Sequence, residues 1–579
     1  MYKIMAYRSL TSQEISVLES NQCRCADWTL VEVADNFAAN DVRNCEFSGK
    51  IRIGERVKIK NVGLLCMDGV SCFGNGTELT LLDENGSRSI RIFNKLTSQL
   101  AHLQCFWKSD EDFVEAYDAI IDEYVERQKS SVMTIGDGAE ISNCGEIRNV
   151  QIGECAKING AHVLENGTVL SCEQAPTSVT WGVIARDFII AEGAQVTDGA
   201  QIERCFVGNS SEVGEQFAAT DSVFFANCQM MHGESAALFA GPFSVSHHKS
   251  TLLIAASLSM FNAGSGSNQS NHMYKSGPIH YGVVDRGSKF GSDSYMAWPS
   301  RIGVFSVVLG KHKSKVNVPD FPFSYLVSEG MYSRVLPGLS LRSLGTYRDV
   351  NKWESRDKRA TNQKNDIINF GLFNPYTIGQ IRRGYKRLAR FLDEGDERRE
   401  LDKNVLISRK PSMTGYELYD LALRIYIGLN AAKCDGVDDE WVDLSGMLAR
   451  RAEIEDLTRS VADGSVDSVE SLRDALSAIA SKYDEANASY ATAVAESMLG
   501  KEQLDDSDLQ ELRDSALRAV DDLKRLVVAD AQKEYEGAFR WNFGIDQSDD
   551  SRNREFEILR GKLDKDWVEK LVEKALRIS

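Results

Sequence analysis

With 579 residues, 42% hydrophobic and 26% charged, the chain has the make-up of a soluble globular protein with room for several cores. Its net charge of −18 argues against a general nucleic-acid binder, because phosphate contacts need excess cations. Apolar runs stay short of the roughly 20 residues a membrane-spanning helix requires, and the opening "MYKIMAYRSLTSQEISVLES" has neither the apolar centre nor the cleavage site of a secretory leader. A cytoplasmic protein with no membrane or nucleic-acid partner is the expectation. Its twelve cysteines, none in a Cys-x-x-Cys pair, fit free thiols that pack as small apolar side chains rather than structural zinc ligands.

An aliphatic residue recurs about every six positions. It starts in "IGERVK" at Ile53, with Ile59 and Leu65 following, and this first segment is taken as 1–90. A helical excursion, 91–130, interrupts it: "SDEDFVEAYDAIIDEYVERQ" places Phe113, Tyr117, Ile120, Ile121 and Tyr124 at helical spacing, with Ser109 and Asp112 as a capping pair. The recurrence resumes at Ile135, with openers at 141, 147, 152, 158, 164 and 170, and again from Ile190 through "VTDGAQ", "IERCF", "VGNSSE" and "VGEQFA". A period of six matches neither a helix nor a simple strand. It suits a three-sided coil in which each side is a short strand, one aliphatic points inward and small residues turn the corner. Chance periodicity in a β-rich domain is the competing account, and two long runs in register weigh against it. The coils are expected over 131–345, with long loops thrown outward once the period loosens after Val223.

From Asn374 the character is helical. "NPYTIGQIRRGYKRLARFL" opens on an Asn-Pro start signal and carries Ile378, Ile381, Tyr385, Leu388 and Leu392 on one face. Its "IRRGYKRLAR" portion holds five cations, which either grip an anion or are neutralised by the acidic residues after it. A connector with first helices over 346–434 precedes an acidic helical domain over 435–579. Between Asp435 and Asp550 there are 29 acidic and 12 basic residues, so nearly all of the net charge lies here.

Six of eight histidines fall between His232 and His312, and six of nine prolines between Pro242 and Pro337. Prolines fix loop backbones and histidines move protons near neutral pH, so this window reads as a built site. His272 or His280 is the candidate base, with Asp285 or Asp293 orienting an imidazole. Asn271, Lys275, Arg286, Lys289, Asp293, Arg301 and Arg348 are the candidate substrate contacts, the cations for phosphate or pyrophosphate. Arg348 belongs to "RDVNKWESRDKR", which fits either a phosphate-gripping strap or a salt-bridged connector. Adjacent His247 and His248 would face opposite sides of a strand and so do not readily share a metal, and no metal is expected.

The six-residue blocks resemble those of the hexapeptide-repeat transferase superfamily. The order "SNHMYKSGPIHYG", "SDSYMAWPSRIG", "DFPFSY", "RDVNKWESRDKR" is similar to a bacterial family of large hexapeptide proteins. The resemblance implies a left-handed parallel β-helix, from which the helical insertion and the helical tail depart, so the expected fold is mainly β, a left-handed parallel β-helix with a helical insertion, plus a C-terminal α-helical domain. It also implies a homo-oligomer, possibly a trimer, and a histidine base with an acyl-CoA or similar acyl donor. The function expected is acyl transfer to a sugar or sugar-nucleotide-like substrate. A non-catalytic scaffold and a metal-dependent sugar-phosphate hydrolase or isomerase are the alternatives.

Overall fold

The computed structural model describes residues 7–271, 277–361 and 364–578. It is mostly β, a large parallel sheet of short strands followed by a helical C-terminal region. Neighbouring strands lie in parallel and close to 17 positions apart in sequence: Ile141 pairs with Ile158, Ala185 with Ile202, and Ile202 with Ala219. The strands before and after the insertion pair directly, Ile59 beside Ile141. Parallel pairing continues through the irregular part of the sequence, with Met296 beside His312 and Val308 beside Leu326.

Local chemistry explains the repeat. The seven-residue strands Val163–Val169, Ile184–Ile190, Gln201–Val207 and Ala218–Phe224 each take a left-handed backbone at their fourth residue: Asn166, Asp187, Arg204 and Asp221, with φ between 47° and 50°. Asn and Asp tolerate this conformation better than most side chains. The bend divides each strand into two arms, so the ladder runs in three columns: Lys157–Asn159 and its successors, the first arms, and the second arms. Stacked polar side chains line the bend, where the Arg204 guanidinium donates to both Asp221 carboxylate oxygens at 2.9 and 2.8 Å.

The aliphatic openers Ile135, Ile141, Ile147, Ile152, Ile158 and Leu164 are buried, as are Ile190, Val196, Ile202, Val207 and Val213, whereas Leu170 is half-buried. In the second arms a further residue is buried on the opposite side. Ile189, Phe206, Val223 and Phe239 form a separate core with the insertion helices Ser98–Phe106 and Glu111–Gln128 and with helices of the C-terminal region. Parallel strands covered on both faces read as continuous apolar runs, which is why "DFII" and "RCFV" break the alternation.

The expected helical faces are present. Phe113, Tyr117, Ile120, Ile121 and Tyr124 are buried, although the helix is capped by Asp110, whose side chain accepts from the Phe113 amide at 3.1 Å, rather than by Ser109. Helix Pro375–Asp393 is capped by Asn374, and Leu512, Ala516, Val520, Leu523 and Val527 line the buried side of Asp506–Gln532. The sequence reading missed the hairpin Trp441–Leu444 and Met447–Arg450, which turns at Ser445 and Gly446, both at positive φ. Replacing the core residue Ile202 by alanine is expected to cost about 2–5 kcal/mol, read as a lower urea midpoint with an unchanged slope.

Candidate functional site

A cavity of about 860 Å3 opens where five elements meet. The second arms supply Ser257–Ser259 and Val283–Arg286. The insertion helix ends in His102, Phe106 and Trp107, helix Pro375–Asp393 brings Tyr376 and Arg382, the hairpin brings Trp441 and Asp443, and helix Tyr483–Leu499 adds Tyr490.

Arg286 lies in its wall with 1% of its surface exposed. Its Nη2 donates to the Asn369 carbonyl at 2.6 Å, and Asp443 Oδ2 stands 3.6 Å from Nε, too far for a hydrogen bond. Among the described residues, no acceptor satisfies Arg286 Nε or Nη1, or the indole N–H of Trp441 in the same wall. Buried donors without partners are costly and rare, so three on one cavity mark a place shaped for an acceptor-rich group.

Asn369 sets this geometry. Its carbonyl holds Arg286, its amide donates to Gly446 O at 3.0 Å, and its Oδ1 accepts from the Leu448 amide at 2.8 Å. The same segment is pinned by buried Asp366, which accepts from the Ser98 amide at the start of the insertion helix and from the Ala226 amide, at 2.7 and 2.9 Å.

Asp285, next to Arg286, is buried and accepts from Gln380 Nε2 at 2.5 Å, while Gln380 Oε1 accepts from the Val304 amide at 3.1 Å. Burial pushes its pKa above the ordinary aspartate value, against the pull of Arg301. Arg301 is open to solvent at the cavity, and helix Pro375–Asp393 brings Tyr376 to the same carboxylate. A buried carboxyl with a raised pKa beside a solvent-accessible cation is an arrangement that general acid–base chemistry uses.

The basic run in that helix is largely neutralised, but by other partners than its sequence neighbours. Arg382 pairs with Asp438 at 3.0 Å, and Arg383 and Arg387 share Asp320 at 2.7 and 3.0 Å. Lining cations and carboxylates balance, six against six, so the cavity suits a ligand that is anionic in one part and hydroxyl-rich in another.

Of the expected site residues, Asp285, Arg286 and Arg301 meet here. Lys289 pairs with Asp349 in a second pocket, and Arg348 stands 3.6 Å from the same carboxylate. Asp293 is exposed and pairs with Lys311 at 3.0 Å. Asn271 is buried and donates to Glu84 at 2.5 Å. His280 is half-buried and lines neither cavity, while His272 and Lys275 fall outside the described residues. The other described histidines of the window are dispersed: His232 faces Glu215 at 3.9 Å, His247 bonds Gln229 at 2.7 Å, and His312 is buried against Ser333 at 2.8 Å. Among the described residues, no group of three or more His, Cys, Asp or Glu is arranged to hold a metal ion.

The cavity's histidine is His102, outside the window that the sequence singled out. Its Nδ1 lies 3.1 Å from Ser445 Oγ, and the rings of Phe106, Trp107 and Phe239 surround it. Burial pushes its pKa down from 6.5 to about 3, so the ring is uncharged near neutral pH. The depressed value favours folding above 6.5 and loses that contribution as pH falls toward 3. His102→Gln is therefore expected to flatten the pH dependence of unfolding free energy between about pH 7 and pH 4, by up to one proton's worth. An unaltered slope in urea titrations would show that the ring is not held neutral.

Comparison with known proteins bears on these readings. A family model described as Domain of unknown function (DUF4954) matches residues 7–58 and 51–392, and one described as Domain of unknown function (DUF6819) matches 424–577. An uncharacterized protein of Treponema pallidum (strain Nichols) is 24% identical over 443 residues, 65% of this chain, which spans 60% of that relative. These matches correct the expected membership of the hexapeptide-repeat transferase superfamily, since the models that match are described as domains of unknown function and not as hexapeptide repeats. An aliphatic opener followed by small residues meets the packing needs of any stack of short bent strands, so the pattern does not identify a family. The trimer, the histidine base and the acyl-CoA donor drawn from that resemblance lose its support.

Proposed function

The chain belongs to the family described as Domain of unknown function (DUF4954), and from the cavity's own chemistry we propose that it is an enzyme acting on a phosphorylated, hydroxyl-bearing small molecule, a sugar phosphate or sugar nucleotide. The observation that carries this reading is buried Arg286, whose Nε and Nη1 are without acceptors in the wall of the same cavity that the unpartnered indole of Trp441 lines. Phosphate oxygens would satisfy all three, with Arg301 completing the anion site. Ligand hydroxyls would exchange hydrogen bonds with the paired charges at the rim.

The reaction in this reading is group transfer onto a ligand hydroxyl, with an acyl thioester as the first donor to test. The hydroxyl oxygen attacks the carbonyl carbon, its proton passes to Asp285, the carbon–sulfur bond breaks, and Asp285 returns that proton to the departing sulfur, which leaves as the thiol. We also read the three columns of parallel strands, bent at a fixed left-handed residue and offset by 17 positions, as the sides of a left-handed parallel β-helix. That frame would hold Asp285, Arg286 and Arg301 on successive turns.

Thermal unfolding of the full chain with sugar nucleotides, sugar phosphates and their neutral parent sugars tests the proposal. Phosphorylated ligands are expected to raise the midpoint in a saturable way while neutral sugars leave it in place. Arg301→Met, at a solvent-accessible position, is expected to weaken that binding roughly tenfold. Equal shifts from neutral sugars, no shift from any phosphorylated ligand, or full affinity in Arg301→Met would overturn it.

A further inference from the structure

A second pocket, about 360 Å3, lies beyond the wall that Arg286 and Met260 form, Arg286 Nη2 being 3.3 Å from Met260 Sδ. The segments that line the large cavity with residues 257–259 and 285–286 continue into this pocket as residues 260–262 and as Gly287 and Lys289. Its other side is helix Leu344–Ser355 and the turn after it, the "RDVNKWESRDKR" stretch.

The pocket has two unlike parts. Phe243, Phe261 and Trp353, all mostly buried, give it aromatic surfaces together with Met260 and Val245. Against these stand four cations, Lys289, Lys352, Arg356 and Lys358, with a single lining carboxylate, Asp349. That carboxylate answers three cations: it pairs with Lys289 and stands 3.6 Å from both Arg348 and Lys352. Lys358 pairs with Glu212 at 2.5 Å. Among the described residues, no carboxylate comes within ion-pair range of Arg356. Burial holds the Lys352 pKa below the ordinary lysine value despite Asp349 beside it. In a chain of net charge −18, a concave surface with this excess of cations focuses a positive potential that the rest of the molecule opposes.

We infer that this pocket binds a nucleoside phosphate, with the base against Phe243, Phe261 and Trp353 and the phosphates at Lys352 and Arg356. Flat rings stack on aromatic side chains irrespective of base identity, and lysine and arginine supply the charges phosphate groups require. The pocket's volume falls within the range of small-molecule sites. The inference stands apart from the reading of the larger cavity, because it uses none of that cavity's polar groups. It also resolves the two readings of "RDVNKWESRDKR": Asp349 and Lys358 are salt-bridged, while Lys352 and Arg356 keep capacity for an anion.

Isothermal titration of the full chain with AMP, ADP and inorganic pyrophosphate tests this. ADP is expected to bind saturably and at least roughly tenfold more tightly than pyrophosphate. The double variant K352A/R356A, in the last turn of the helix and at the residue just after it, both outside the core, is expected to weaken ADP at least roughly tenfold. K60A/K157A, which removes the same charge from exposed strand positions, is expected to leave the affinity unchanged. Three results would overturn the inference: no saturable nucleotide binding up to about 5 mM, unchanged ADP affinity in K352A/R356A, or pyrophosphate binding as tight as ADP, which would leave the aromatic surfaces without a part.

Discussion

The left-handed backbone at the fourth residue of four stacked seven-residue strands, Val163–Val169, Ile184–Ile190, Gln201–Val207 and Ala218–Phe224, is the constraint on which the architecture rests. Bends stack only if successive strands place them at the same height, which sets their register, 21 positions from Asn166 to Asp187 and 17 at each of the next two steps, to Arg204 and to Asp221, and, with it, which side chains point inward. Asn166, Asp187 and Asp221 meet the conformational demand at modest cost, and Arg204 meets it with the help of its two hydrogen bonds to Asp221. A slip of one position in any strand would turn its aliphatic residues outward. Because the second arms carry apolar residues on both sides, their outer face has to be covered, and the insertion helices and C-terminal elements do that. The large cavity opens where strands, insertion helices and C-terminal elements converge without closing on one another.

Charge follows the same logic. Most of the acidic imbalance lies in the last quarter of the sequence, and its first members do local work. Asp438 pairs with Arg382 of helix Pro375–Asp393, Glu440 with Arg451, and Asp443 stands opposite Arg286. The cation-rich helix and the acidic hairpin are therefore complementary walls of one cavity. Their pairing lowers the electrostatic cost of packing six cations around it, while Arg286, Arg301 and Lys386 make no direct hydrogen bond to a carboxylate among the described residues.

Periodic features were legible in the sequence, and features made by convergence were not. The openers from Ile135 to Leu164 announced the strands because burial demands an aliphatic residue at a fixed spacing, and the helix from Pro375 announced itself through Asn374 and its apolar face. Asp285, Arg286 and Arg301 were found because they sit close together in sequence on successive strands. His102 was missed: what makes it part of a site is Ser445, 343 positions away, and no local pattern encodes that contact. Clustering of histidines in sequence misled for the reciprocal reason, since strands in different columns carry neighbouring residues to different faces. The hairpin at Trp441 had a signal, a Ser-Gly pair between two short apolar stretches, which the surrounding helical composition masked.

Arg286 ties these threads together. Burying a guanidinium with one strong acceptor is expensive, and an apolar side chain of similar volume would serve the core better. The residue is nevertheless held in place with care, by the carbonyl of Asn369, which is itself fixed through two hydrogen bonds to the hairpin, on a segment pinned by Asp366 to the insertion helix and to the strands. Three parts of the chain far apart in sequence are thus committed to positioning one partly satisfied cation. Stability alone gives no reason for such an arrangement, whereas a negatively charged ligand in the cavity does.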